Sequence, residues 1–518
     1  MSISSQRWYV LILNTMMTLL LTDTCQHILP RLWQGLLAAC LLSVSHLAFA
    51  QTATSESSAT EQTAQPEAPS FFGGRAVTQA QDNSEAPVIE FQRRSIAPAI
   101  PVELPTKTAQ LQQKNKTINP LTAEPEGSAI ELSREDLLLL KKARYYIDRN
   151  WNDNTGLIDS VQGYSHATMW DVGSSIGAIL ALEHLGQYNE EKANAMLEKT
   201  IATLASFPLY RDKLPNRQYN TKTGNPSGSY STNSTNGDGW SALDIGRLLI
   251  WLTITAEYKP ELKPKITALL STWDLERSVY KGTLYGEQKY KSSTSYRQEG
   301  RLGYLQYAAQ GFAMQHLNVD EALGPKYSQQ VFVDDYLLFI DIRNLPYFTT
   351  DPYVLQAIEL GSHDVWWNQL DSLYEVQRDR YDHTRKLTIF AEDSLSQRPW
   401  FAYNNVHFYG KNWLSTSAGG KPIENGQMFS NKVAFGLSML FKDSFSRLLY
   451  NTVVNNSVDH RSIPTGLYKP NSPNTAYNIN TNSLILVSLW YKKRGYRPIW
   501  RYEAPLPLSE SELAKSNK

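Results

Sequence analysis

Four segments of the sequence set carboxylates beside aromatic rings. They are residues 168–174 (TMWDVGS) with Asp171, residues 296–304 (YRQEGRLGY) with Glu299, residues 351–353 (DPY) with Asp351, and residues 391–393 (AED) with Glu392 and Asp393, the last followed by Pro399-Trp400-Phe401. Glycans ask for this mixture, because flat apolar sugar faces stack on Trp and Tyr while their hydroxyls need donors and acceptors. Breaking a glycosidic bond takes two carboxyl groups, one protonated to assist the leaving oxygen and one ionised to activate water or attack carbon. Each segment also has a plainer reading. It falls where the pattern predicts a helix start, and a carboxylate there serves as a cap facing the helix dipole. Arg301 beside Glu299 then becomes a surface pair worth about 0 to 1 kcal/mol, and the aromatics become core, since large rings dominate buried area. The coincidence of all four segments at loop-to-helix junctions favours the chemical reading.

Other chemistries lack their signatures. The nine histidines form no HExxH motif and no i, i+4 metal pair, so neither a metal nor a cofactor is expected. No GxSxG, Walker loop or GxGxxG occurs. Asp334-Asp335 and Asp341-Ile342-Arg343 read as a solvated edge rather than a cation site. With 50 Lys+Arg against 50 Asp+Glu the chain is formally neutral, which argues against nucleic acid held by charge. Charged residues make up 19%, below the roughly 25% usual in soluble domains, and 13 Trp, 29 Tyr and 16 Phe fill part of the gap.

The elements that must position these residues are helical. Ser133 with Asp136 three residues on reads as a capping box, after which Leu137, Leu140, Tyr146 and Ile147 return to one face. Trp170 opens a second run stopped by Gly186, and Asn189 caps a third. Further helices are predicted at 240–257, 261–272, 299–316, 321–330, 353–360, 365–379, 430–441, 443–454 and 482–494. Strand alternation is scarce, with 386–390 and 331–333 the best candidates. The fold class expected is therefore all-α: paired helices around a ring, with long loops such as 211–239 and 397–431 forming a cleft on one face.

Export is predicted at the N-terminus. Residues 32–50 (LWQGLLAACLLSVSHLAFA) are apolar, follow Arg31 and end in Ala48-Phe49-Ala50, so residues 1–50 read as a signal peptide cleaved after Ala50. A periplasmic or secreted chain follows. A lipoprotein box at Leu37-Ala38-Ala39-Cys40 ranks second and a retained membrane anchor third. The two cysteines, Cys25 and Cys40, would leave with the signal, giving a mature chain without thiols. Residues 51–130, rich in Gln, Ser, Thr, Ala and Pro, read as a disordered tether, with Phe71, Phe72 and Phe91 as its alternative use, a partner-binding strip. Residues 131–502 form the folded domain and 503–518 a polar tail.

The motifs, taken together, resemble the bacterial family of unknown function numbered 3131. TMWDVGS, Leu214-Pro215-Asn216, residues 239–247 (GWSALDIGR), residues 298–304 (QEGRLGY), Tyr307-Ala308-Ala309, Asp341-Ile342-Arg343, residues 352–355 (PYVL), residues 391–394 (AEDS), Pro399-Trp400-Phe401 and Asn480-Thr481-Asn482 occur in the family's order, and the likeness runs from about Leu137 to Gly495. The resemblance implies a glucoamylase-like (α/α)6 barrel, a toroid shared with inverting glucanases that act on β-1,2-glucans. It implies Glu299 as general acid, Asp171 as the carboxylate gripping sugar hydroxyls, and Glu392 or Asp393 as base. Trp170, Trp240, Arg247, Arg301, Tyr304, Tyr353, Trp400 and Asn482 would line the cleft. A departure is Leu437-Ser438-Met439 after Phe435-Gly436, where a tryptophan is expected; it would alter a subsite, not the chemistry. The activity implied is an inverting glycoside hydrolase on a β-glucan-like polysaccharide of the cell envelope or the exterior. A non-catalytic glycan-binding or scaffold subunit of a polysaccharide synthesis or secretion assembly, reached through the tether, is the alternative. A polysaccharide lyase, with a Tyr base and Arg or Asn neutralising a uronate, is the third.

Overall fold

Side-chain caps start the helices where the polar punctuation of the sequence places them. Helix α1 (Arg134–Asn150) opens with the Ser133/Asp136 capping box, and α2 (Met169–His184) with the same reciprocal pair from Thr168 and Asp171. Asn189 caps α3 (Glu190–Ser206), Ser241 caps α4 (Ala242–Tyr258), and α5 (Lys263–Ser271) follows. The chain continues with α6 (Tyr304–Ala313), α7 (Asp320–Leu323), α8 (Asp351–Leu355, prolonged by a π turn over Gln356–Leu360) and α9 (Val365–Thr384). It closes with α10 (Asn431–Leu440), α11 (Ser444–Ser457, capped by Asp443) and α12 (Ile479–Lys493, capped by Asn478). The computed structural model describes residues 130–228, 235–290, 293–343, 347–362, 365–417 and 420–500. The predicted signal segment, tether and C-terminal tail lie outside them, as do both cysteines.

Burial separates two layers of helices. Fourteen of the sixteen residues of α2 are buried, whereas α1 buries seven of seventeen. A helix apolar all round belongs inside and an amphipathic one outside. The even-numbered helices close a ring: α2 packs on α4, α4 on α6, α6 on α8, α8 on α10, α10 on α12 and α12 back on α2. The odd-numbered helices pack outside it, among them α1 on α12 and α11 on α10. The tightest approach is α4 to α6, where an added Cβ on Gly246 would meet the Ala308 carbonyl at 2.4 Å and one on Gly311 would meet the Gly246 carbonyl at 2.0 Å. Only glycine admits backbone contact this close.

Strands precede the inner helices, and here the all-α expectation is corrected. Gly239–Trp240, Val279–Tyr280, Thr283–Tyr290 and Ser293–Gln298 form one antiparallel sheet; Tyr347–Phe348, Glu392–Ser394, Phe401–Phe408 and Lys411–Thr416 form another. Each inner helix is led in by a short strand, from His166–Ala167 before α2 to Ser472–Asn474 before α12. The paired strands Thr283–Tyr290 (TLYGEQKY) and Ser293–Gln298 (STSYRQ) have Tyr and Thr but no apolar-polar alternation, so period-two contrast is missing although the strands form. Gly300 and Gly303, both at positive φ, break the helix expected over 299–316, which begins at Tyr304. The helix expected over 321–330 stops at Leu323 and Ser328–Val333 is a strand, while 386–390 makes only an isolated bridge from Ile389 to Phe429.

Candidate active site

A narrow cavity opens where the inner helices begin. Trp170, Arg247, Tyr304, Asp351, Lys432 and Asn480 line it, with Leu355 and Leu484, so all six inner helices contribute. Tyr304 and Asp351 are the first residues of α6 and α8; Trp170, Lys432 and Asn480 are the second of α2, α10 and α12. Five helix N-termini, with their partial positive charge, therefore face one space. Its enclosed volume is about 10 Å³, room for about one water.

Lys432 organises one wall. Its Nζ stands 2.8 Å from Asp351 Oδ2 and 3.1 Å from Asp393 Oδ1, and donates to the Glu392 carbonyl at 2.5 Å. Asp351 Oδ1 accepts from the Glu392 amide at 3.1 Å, and Glu392 Oε1 from Arg301 Nη2 at 2.7 Å. Arg301 lies on the Tyr347 ring, 3.2 Å from its centroid, a cation–π contact. Burial pushes the Asp393 carboxyl up to about 6; Lys432 opposes the shift and Asp351 adds to it. Burial works to lower the Lys432 ammonium, but Asp351 and Asp393 outweigh it and hold it above its ordinary value.

Asp171 does not line the cavity itself but lies behind Asn480, fully buried, where its backbone N donates to Thr168 Oγ1 at 3.3 Å. Its Oδ2 accepts from the Thr168 amide at 2.9 Å and hydroxyl at 3.0 Å, and its Oδ1 from Asn480 Nδ2 at 2.8 Å. Burial raises its pKa, and the Thr168 and Asn480 bonds and the Arg247 charge moderate the rise. Arg247 stacks under Trp170, 4.9 Å from the ring centre, and Tyr304 meets Trp170 edge-on at 5.5 Å.

Glu299 follows the strand Ser293–Gln298, not a helix start, and is 1% exposed. Its Oε1 accepts from Arg217 Nη2 at 2.6 Å and its Oε2 from the Ala242 amide, the first of α4, at 2.7 Å. Gly286 makes room for it: a Cβ there would stand 2.1 Å from the Glu299 carboxyl. Glu392 likewise lies on a strand, Glu392–Ser394.

Of the predicted cleft residues, Trp170, Arg247 and Tyr304 line the cavity, and Arg301 backs it through Glu392. Trp240 is buried, donates Nε1 to the Tyr285 carbonyl and packs between Tyr210 and Tyr296. Tyr353 is buried against Trp366. Trp400, at φ 69° and 42% exposed, stands out from the turn after Glu392–Ser394, where Leu395 N donates to its carbonyl. Asn482 bonds the Ile463 and Asn478 backbones, and Asn480 takes the cavity position. Two residues turn a helix through about 200°, so the two asparagines face opposite ways. Sequence reasoning assigned no role to Lys432, Arg217, Glu359 or Asn480. Only Asn480 had a signal, its place in the Asn480-Thr481-Asn482 motif. Among the described residues no group of three or more His, Cys, Asp and Glu could hold a metal.

Solved structures share this architecture. A glucoamylase-like protein of Bacteroides fragilis NCTC 9343 superposes with a TM-score of 0.52 at 14% identity, covering 73% of this chain and 96% of its own. The endo-β-1,2-glucanase of Chitinophaga pinensis, in complex with sophorotriose and glucose, gives 0.53 at 12% identity, with 74% and 98% covered. A glucoamylase-like protein of Bacteroides caccae ATCC 43185 gives 0.50 at 14%, with 71% and 96% covered. At these identities what is shared is the fold. Among curated proteins none matches the sequence. The family model described as protein of unknown function, DUF3131, matches residues 139–495, and the chain belongs to that family.

Proposed function

We propose that this protein is an inverting glycoside hydrolase acting on a glucan of the cell envelope or exterior, reached after export through residues 1–50. The observation that carries the proposal is the cavity itself: Trp170 and Tyr304 beside Asp351 and Asn480, with the second carboxyl of Asp393 held on the same Lys432. The shared fold with an endo-β-1,2-glucanase supports the substrate class. In this reading Asp393, at about 6, is the base that takes a proton from the attacking water near neutral pH, exchanging the Gln427 Nε2 bond at its Oδ2 for that water. Glu299 is the acid. Because both its oxygens now accept hydrogen bonds, delivering a proton requires it to exchange Arg217 or Ala242 N for the leaving oxygen. Asp171 grips the sugar through Asn480, since its own oxygens are taken.

That same saturation of Asp171, Glu299 and Asp393 favours a second reading, a non-catalytic glycan-binding subunit. Incubating the full chain with a panel of α- and β-glucans, β-1,2-glucan included, and weighing the products separates the two. One added water per cleavage supports hydrolysis; binding without product supports the second reading, and neither product nor binding refutes both.

A further inference from the structure

An unbroken run of hydrogen bonds crosses the ring floor beneath the cavity. Glu359, placed by the π turn of α8, takes Arg247 in both oxygens, at 3.1 and 3.2 Å. Tyr307 hydroxyl bonds both partners. Arg247 Nε donates to Ser174 Oγ at 3.1 Å, Ser174 Oγ to Asn480 Oδ1 at 2.7 Å, and Asn480 Nδ2 to Asp171 Oδ1 at 2.8 Å. Glu359, Arg247, Ser174 and Asp171 are each no more than 2% exposed.

Chemistry sets the direction of this run. A guanidinium N–H only donates, so the Ser174 oxygen accepts and its own proton goes onward to an acceptor, the Asn480 amide oxygen. The Asn480 nitrogen is thereby turned to Asp171, where a carboxylate requires a donor. A reversed amide would put oxygen against oxygen.

We propose that Glu359 and Ser174 are positioning residues: acting through Arg247 and Asn480 respectively, they fix the Asn480 amide at the cavity and the charge state of Asp171 behind it. Glu359 neutralises Arg247, which otherwise presents an uncompensated cation to Asp171; Ser174 carries the hydrogen bonding from Arg247 to Asn480. The two influences have opposite signs on Asp171. The consequence for substrate rests on the hydrolase reading, whereas the relay itself does not.

The test is the titration of Asp171 in the full chain carrying carboxyl-labelled aspartate, followed by carbon-13 NMR and assigned with Asp171→Asn. Ser174→Ala should move the Asp171 midpoint up, and Glu359→Gln should move it down, each by on the order of one unit. Where a glucan is turned over, both variants should raise KM more than they lower kcat. Glu359→Gln leaves a buried guanidinium without its counter-ion and is prone to unfold; Ser174→Ala loses one hydroxyl and then decides alone. An unmoved midpoint in folded Ser174→Ala, or movement of both variants in one direction, overturns the proposal. A wild-type chain inert on every glucan, with the midpoints moving as stated, overturns the hydrolase reading and leaves the relay standing.

Discussion

Lys432 and Asp351 meet at 2.8 Å, both almost wholly buried, at the first turns of two neighbouring inner helices. Asp393 shares the same ammonium at 3.1 Å, so one cation serves two carboxylates. Removing one partner of a buried pair leaves the others charged and dry, at a cost of about 3 to 5 kcal/mol. Lys432→Met should therefore lower stability by that order in urea unfolding. The loss should be smaller at pH 5 than at pH 8, because a protonated Asp393 no longer needs the cation.

Asp393 gives a pH dependence of stability with a definite sign. Its folded value of about 6 lies above the ordinary 3.8, so the folded chain holds the proton more tightly than the unfolded one. The stability this contributes is whole below about pH 3.8 and is lost as pH rises to about 6. Asp393→Asn should remove that slope from the thermal midpoint measured between pH 4 and 7.

A second slope comes from the outer helix α9. Asp371, Glu375 and Asp379 recur every fourth residue there, with Asp443 capping α11 beside them and Arg378 as their cation. Burial pushes Glu375 up to about 7; Arg378 opposes, and the neighbouring acids add. By the same linkage, stability falls between about pH 4.5 and 7. Glu375→Gln should flatten that interval and leave the chain more stable than wild type at pH 8, as read by calorimetry.

Gly286 makes the position of Glu299 testable without changing its charge. Gly286→Ala inserts a Cβ that collides with the carboxyl at 2.1 Å and must push it from Arg217 and Ala242 N. Glucan turnover should fall by on the order of 100-fold or more, the scale of a displaced acid catalyst. Trp400→Ala at the exposed turn should leave stability within about 0.5 kcal/mol and raise KM with kcat unchanged.

The helical frame is legible in the sequence because capping is local: Ser133 to Asp136, Thr168 to Asp171 and Asn189 to Lys192 each span three residues. The sheets are not, because Thr283–Tyr290 and Ser293–Gln298 carry Tyr, Ser and Thr on both faces and present no alternating apolar signal. Acids such as Asp171 and Glu299 can be picked out by type and neighbours, but the partners of buried acids lie far along the chain. Arg217 meets Glu299 across 82 positions and Arg247 meets Glu359 across 112. Lys432 is a residue type that almost always stays in water, so nothing local marks it as the buried centre of the cluster. The motif Asn480-Thr481-Asn482 offers two asparagines, and only the helix turn decides that Asn480 is the one facing the cavity.

The central claim, that Glu299 and Asp393 cleave a glucan, is tested most directly by turnover of a confirmed glucan substrate by wild type, Glu299→Gln and Asp393→Asn, each checked for retained fold by circular dichroism. Both variants should turn over at least about 100-fold more slowly, the lower end of general acid–base catalysis. Folded variants that cleave the same substrate at the wild-type rate would contradict it.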